Sequence, residues 1–88
     1  MYKYAVLGAG RQGQAIAYDL GINGNSEKIY IFDKELEIAI NASNRLNKLL
    51  KCNLFIPKKL NVTNKSELKM NLNDIDTVIS AVPYFLNE

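Results

Sequence analysis

Short apolar runs alternate with longer amphipathic stretches along the chain, and this alternation predicts repeated strand–helix units. Tyr4-Ala5-Val6-Leu7 is an apolar run stopped by Gly8. Its brevity and its glycine boundary predict a buried parallel strand. From Gln12 to Leu20, the residues Ala15, Ile16, Ala17 and Leu20 fall mostly on one helical face. Gly21 is expected to close that helix and Asn23-Gly24 to form a turn. Ile29-Tyr30-Ile31-Phe32 is β-branched and aromatic, so it predicts a second strand, ending at Asp33. Between Glu35 and Leu50, the residues Leu36, Ala39, Ile40, Leu46 and Leu50 have helical spacing. Glu35 and Glu37 open this segment and Lys48 and Lys51 close it, signs that complement a helix dipole.

The third strand is less regular. Leu54-Phe55-Ile56 runs into Pro57 and then Lys58-Lys59-Leu60. Proline has no ladder donor, which places this strand at a sheet edge, and the lysines protect such an edge. Asn64 precedes Glu67 by three residues, a capping-box variant that predicts a short helix to about Leu72. The run from Asp76 to Val82 predicts a fourth strand, and Pro83 suits the first turn of a following helix. The β-α-β-α-β-α-β pattern implies an α/β fold with right-handed crossovers. It is a Rossmann-like, three-layer αβα arrangement around a parallel sheet of about four strands in the order 3-2-1-4.

Composition narrows the chemistry. A chain of 88 residues holds one small domain, and with 48% hydrophobic residues it has material for a core. A formal charge of +2 is too near neutral to imply a nucleic-acid or membrane partner. The sequence has no His, which excludes His-based acid–base catalysis and His metal sites. The single cysteine, Cys52, excludes an internal disulfide and a cysteine metal cluster. No apolar run reaches the ~20 residues of a membrane span. Met1-Tyr2-Lys3 leads into the first strand with no signal-peptide core, so a cytoplasmic protein is expected.

Gly8-Ala9-Gly10-Arg11-Gln12-Gly13 matches G-x-G-x-x-G and sits between a predicted strand and a predicted helix, as a dinucleotide-binding motif requires. Gly8 permits the tight turn, Gly10 lets a pyrophosphate approach the backbone, and Gly13 lets the helix pack closely on the sheet. The helix N-terminus offers free N–H groups and a partial positive charge. Asp33 follows Gly13 by about 20 residues, at the carboxyl end of the second strand, where a carboxylate binds the adenosine ribose hydroxyls. Its charge also repels a 2′-phosphate, so NAD is expected in preference to NADP; neighbouring Lys34 partly offsets that repulsion. Arg11 projects from the loop toward the adenine or a phosphate, or simply into solvent. The Tyr30-x-x-x-Lys34 spacing resembles a catalytic Tyr/Lys pair, but such a pair needs one helical face and Tyr30 belongs to a strand. Two further segments fall at strand carboxyl ends, where ligands bind in these sheets. In the first, Val62 would pack on the adenine and Asn61 would bond its amine. In the second, Ser80-Ala81-Val82-Pro83, small residues leave room for the middle of a dinucleotide.

Val6-Leu7-Gly8-Ala9-Gly10-Arg11-Gln12-Gly13-Gln14-Ala15, the Asp33 position and Val78-Ile79-Ser80-Ala81-Val82-Pro83-Tyr84-Phe85-Leu86-Asn87 together resemble the saccharopine dehydrogenase family, which includes lysine dehydrogenase-like enzymes. The resemblance covers the whole chain but only the amino-terminal part of a family member. It implies the NAD(P)-binding domain of an oxidoreductase that acts on C–N bonds of an amino acid or polyamine. By position it implies Gly8, Gly10, Arg11, Gln12 and Gly13 at the pyrophosphate, Asp33 at the ribose, Val62 at the adenine, and Ala81, Val82 and Pro83 at the nicotinamide half. Asn61 and Asn64 stand where relatives tend to carry Asp.

Residues 1–88 are accordingly expected to be an incomplete dinucleotide-binding domain, without the substrate domain and not catalytic alone. The fourth strand would then be an exposed edge, and self-association through it or the neighbouring helix is expected. A regulatory nucleotide-sensing domain, like those gating potassium transport, shares the strand, glycine motif and acidic residue. The Ser80–Phe85 segment argues for the dehydrogenase. A fragment with no ligand is the third reading.

Overall fold

The computed structural model of the chain describes residues 1–59 and 73–80. Its elements are β1 (Tyr2–Leu7), α1 (Arg11–Asn23), β2 (Ser26–Asp33), α2 (Leu36–Leu50), β3 (Phe55–Lys59) and β4 (Thr77–Ser80). The strands form one sheet in the order β3-β2-β1-β4. All three neighbouring pairs are parallel, with Leu7 opposite both Phe32 and Ser80, and Ile31 opposite Pro57. The expected class and strand order are observed. The expected helix from Asn64 to about Leu72 lies outside the described residues, as do Leu60, Ala81, Val82 and Pro83. The described residues therefore make two of the three expected layers.

Burial explains why the central strands read as unbroken apolar runs. Ala5 and Val6 in β1, and Ile29, Ile31 and Phe32 in β2, are all at most 1% exposed, so both faces of the sheet centre are covered. Helices α1 and α2 share one face: Ala17, Ala42 and Leu46 pack with Val6, Ile29, Ile31 and Phe55 in a single cluster. Edge strand β3 carries Pro57 and the exposed Lys58 and Lys59. The Lys58 ammonium lies 5.8 Å from the centre of the Tyr30 ring, a cation–π contact between neighbouring strands.

Three expectations need correction. Gly21 does not close α1; the helix runs on to Asn23, and Gly24 caps it by donating its N–H to the Leu20 carbonyl at 3.0 Å. Gly21 serves packing instead, because a Cβ there would sit 2.8 Å from Leu50 Cδ1 and 2.9 Å from Phe55 Cζ. Leu36 and Ile40 are not core residues: they are 41% and 38% exposed, and Ala39, Ala42, Ser43 and Leu46 form the buried stripe of α2. Small residues there bring the helix close to the sheet and leave its larger side chains on the flank. Ala15, placed on the apolar face of α1, is exposed.

Candidate functional site

Parallel pairing brings the carboxyl ends of β1, β2 and β4 to one rim. On that rim Gly8, Ala9 and Gly10 carry the chain from β1 into α1. Gly8 has φ of 112°, which disfavours any side chain, and its N–H donates to the Phe32 carbonyl at 2.6 Å. The Ala9 N–H donates to Asp33 Oδ2 at 3.0 Å. The other oxygen of the same carboxylate accepts the Glu35 N–H, also at 3.0 Å. The Ala9 carbonyl in turn accepts a hydrogen bond from Gln14 Nε2 at 3.0 Å.

The remaining glycines divide the work. Gly13 is buried against the first turn: a Cβ there would overlap the Gly8 carbonyl oxygen and lie 3.6 Å from Val6 Cγ1. This is the close helix–strand approach expected of that position. Gly10 is exposed, and a Cβ placed on it would meet nothing within 4 Å. Among the described residues no packing accounts for a glycine there, whereas a group arriving from outside would.

Gly10 is the N-cap of α1, in extended conformation, with no side-chain cap. The amides of Arg11, Gln12 and Gly13 are first-turn donors without intrahelical acceptors. Bare donors, a helix dipole and open space over Gly10 suit a pyrophosphate. Asp33 is half-buried at the same rim, with two of its roughly four lone-pair sites filled by main-chain amides, which leaves capacity for ribose hydroxyls.

Of the residues expected at the site, the structure brings together Gly8, Gly10, Gly13 and Asp33. Gln12 and Lys34 are exposed nearby, at the start of α1 and just beyond β2. The side chain of Arg11 lines an open groove of about 660 Å³ on the outer surface of α1 and α2, with Gln14, Tyr18, Arg45 and Leu49. Asn61, Val62, Ala81, Val82 and Pro83 lie outside the described residues. Tyr30 is within β2 and Lys34 beyond its end, so the pair shares no helical face. Gln14 and the Ala9 peptide are site elements that motif matching passed over. Their only sequence signal is a polar residue immediately after the last motif glycine.

Among the described residues no group of three or more His, Cys, Asp or Glu is placed to hold a metal ion. No helix among them is long and apolar enough to cross a membrane.

Residues 4–88 match the family model described as the saccharopine dehydrogenase NADP binding domain. The chain belongs to that family. As a saccharopine dehydrogenase-type domain it is an NADP-binding dehydrogenase domain by family, which supports a nucleotide cofactor without choosing between NAD and NADP. Similar curated proteins include two named glycerol-3-phosphate dehydrogenase (NAD(P)+). The one from Oceanobacillus iheyensis is 35% identical over 83 residues, and the one from Fusobacterium nucleatum 37% identical over 87 residues. Each match covers 94% of this domain but only 23% and 24% of those proteins.

Among solved structures, quinate dehydrogenase from Corynebacterium glutamicum in complex with NAD superposes with a TM-score of 0.76 at 20% identity. That match covers 93% of this domain and 27% of that chain, and it shows the shared fold. Apo saccharopine dehydrogenase (L-Glu forming) from Saccharomyces cerevisiae gives a TM-score of 0.70 at 26% identity, over 99% of this domain and 18% of that chain.

Proposed function

We propose that this domain binds NAD as the cofactor half of a dehydrogenase, with the pyrophosphate on the amides around Gly10 and the adenosine ribose on Asp33. The observation that carries the reading is the open space over Gly10 beside uncapped first-turn amides. When bound, the nicotinamide supplies hydride chemistry. The chain's own part is to hold and orient the dinucleotide. Gly8, Gly10, Arg11, Gln12 and Gly13 serve the phosphates, and Asp33 and Lys34 flank the ribose. Asn61 and Val62 serve the adenine, and Ala81, Val82 and Pro83 the nicotinamide half. The half-buried Asp33 carboxylate supports NAD over NADP, since a 2′-phosphate would face an anion already fixed by two amides. A cytoplasmic setting fits this cofactor.

The proposed reaction class is oxidation or reductive formation of a C–N bond in an amino acid or polyamine, on the strength of the family and of the segment that begins at Ser80. A second reading is oxidation of an alcohol, favoured by the curated relatives, whose name specifies glycerol 3-phosphate. Either way substrate binding falls to a part of the protein beyond these residues. Calorimetric titration with NAD, NADP and ADP-ribose tests the cofactor. NAD and ADP-ribose bind and NADP binds at least about tenfold more weakly, a difference of ~1.4 kcal/mol. Asp33→Ala weakens NAD without improving NADP. Unchanged NAD affinity in that variant removes the ribose role.

A further inference from the structure

We propose that Asp33 and Gln14 are positioning residues that hold the two peptide planes flanking Ala9, one each, and set the phosphate-binding amides before any nucleotide arrives. The inference rests on the nucleotide reading above and concerns how its site is held ready. Ala9 is 1% exposed, so its main chain has little water to bond, and both its N–H and its carbonyl find protein partners. The N–H is bound by Asp33 Oδ2 at 3.0 Å and the carbonyl by Gln14 Nε2 at 3.0 Å. The two partners come from different elements: Asp33 ends β2, and Gln14 lies in the first turn of α1. Gly8, one residue earlier, is fixed to Phe32 by its own N–H at 2.6 Å. Gly10, one residue later, has among the described residues no fastening beyond its carbonyl, which accepts the Gln14 N–H at 2.9 Å.

The Ala9 carbonyl and the Gly10 N–H share one peptide plane, so the Gln14 bond fixes the direction of the Gly10 N–H, while the Asp33 bond fixes the plane before it. With these two planes free to rotate, the donors would have to be ordered at binding, at a cost to affinity. Gln14 is suited to this task because its backbone N–H closes the first helical turn on Gly10 and its side chain reaches back over the loop. Asp33 thus has two duties, one oxygen toward the loop and the other toward the start of α2 through Glu35. Any ribose hydroxyl would share a carboxylate that cannot swing away without releasing the loop.

The test separates phosphate recognition from the rest of the ligand. Gln14→Leu and Gln14→Met keep the bulk of the side chain and remove its donor. NAD, ADP and adenosine are titrated against each variant and wild type. Exchange of the Ala9 amide is followed by NMR in the free proteins. With the grip lost, NAD and ADP each weaken about fivefold to tenfold, the scale of one hydrogen bond, while adenosine affinity stays within about twofold. The Ala9 amide exchanges about tenfold faster or more, because its neighbouring anchor is gone. Equal weakening of adenosine and ADP, or NAD affinity unchanged in both variants, overturns the positioning role. Wild-type protein that binds neither NAD nor ADP overturns the nucleotide reading itself, an outcome distinct from either of those.

Discussion

Gly13 and Gly8 stand so close that the α-carbon of one packs directly on the carbonyl of the other. Gly10, between them in sequence, offers side-chain space that no described residue fills. The motif thus contains glycines of two kinds, and substitution separates them. Gly13→Ala drives a methyl group into main chain that cannot move aside, and it lowers stability by about 3 kcal/mol. Gly10→Ala leaves stability within about 0.5 kcal/mol, since its φ of −75° suits alanine. It weakens NAD about tenfold or more by occupying the approach to the amides. Urea denaturation and calorimetry on the same two variants measure both effects. Loss of stability in Gly10→Ala would show that the space over it matters to the fold instead.

Asn47 acts as a side-chain extension of the sheet. Its Oδ1 accepts the Phe55 N–H and its Nδ2 donates to the Phe55 carbonyl, both at 3.0 Å, so the first residue of β3 is fastened to α2. Asn47→Ala strands both groups of a 2% exposed residue and lowers stability by about 2–3 kcal/mol. Asn47→Asp keeps the acceptor and loses the donor, so its urea midpoint falls between those of wild type and Asn47→Ala. Equal midpoints for Asn47→Ala and wild type would deny the fastening.

Ser43 works the other way. It is fully buried in α2, and its hydroxyl has no hydrogen-bond partner among the described residues. A buried unsatisfied hydroxyl costs free energy, and alanine is the better helix former. Ser43→Ala is expected to raise stability by about 1 kcal/mol. For a domain of this size that corresponds to a Tm gain of roughly 4–8 °C by calorimetry. A fall in Tm would mean that the hydroxyl has a partner.

Strand β4 occupies one edge of the described sheet, and Val78 on it is 43% exposed. An apolar edge of this kind pairs with other strands unless something covers it. Sedimentation of the 88-residue chain should show concentration-dependent association, and Val78→Lys should shift it toward monomer. A monomer at all concentrations would mean that the edge is protected.

Strand order, the parallel sheet and the rim with its glycines and Asp33 were legible because each depends on local pattern. Val6 and Ile31 lie in short apolar runs, and the motif spacing fixes Gly13 and Asp33 relative to those runs. Gly21 was misread because a glycine late in a helix has two explanations. Only the positions of Leu50 and Phe55, brought in from α2 and β3, select close packing over capping. Leu36 and Ile40 share the helical spacing of Ala39 and Leu46 yet lie off the contact face, because spacing ignores size; the small residues Ala39, Ala42 and Ser43 hold that face. The Gln14 bond to Ala9 was invisible because it depends on how the loop folds back over the helix start. Sequence spacing carries no record of that.

β1 draws its two neighbours from very different distances along the chain: β2 follows one helix later, while β4 begins at Thr77. Lys3 and Asp76, 73 residues apart, hold that distant seam with the Lys3 N–H on Asp76 Oδ2 at 2.7 Å and the Asp76 N–H on the Lys3 carbonyl at 2.9 Å. During synthesis, β1 waits with one flank bare until Asp76 and β4 have left the ribosome. The β1–β2–β3 units can assemble early, but β4 joins late and slowly, as long loop closures do. The interval before that closure is when the nascent protein is most open to mispairing.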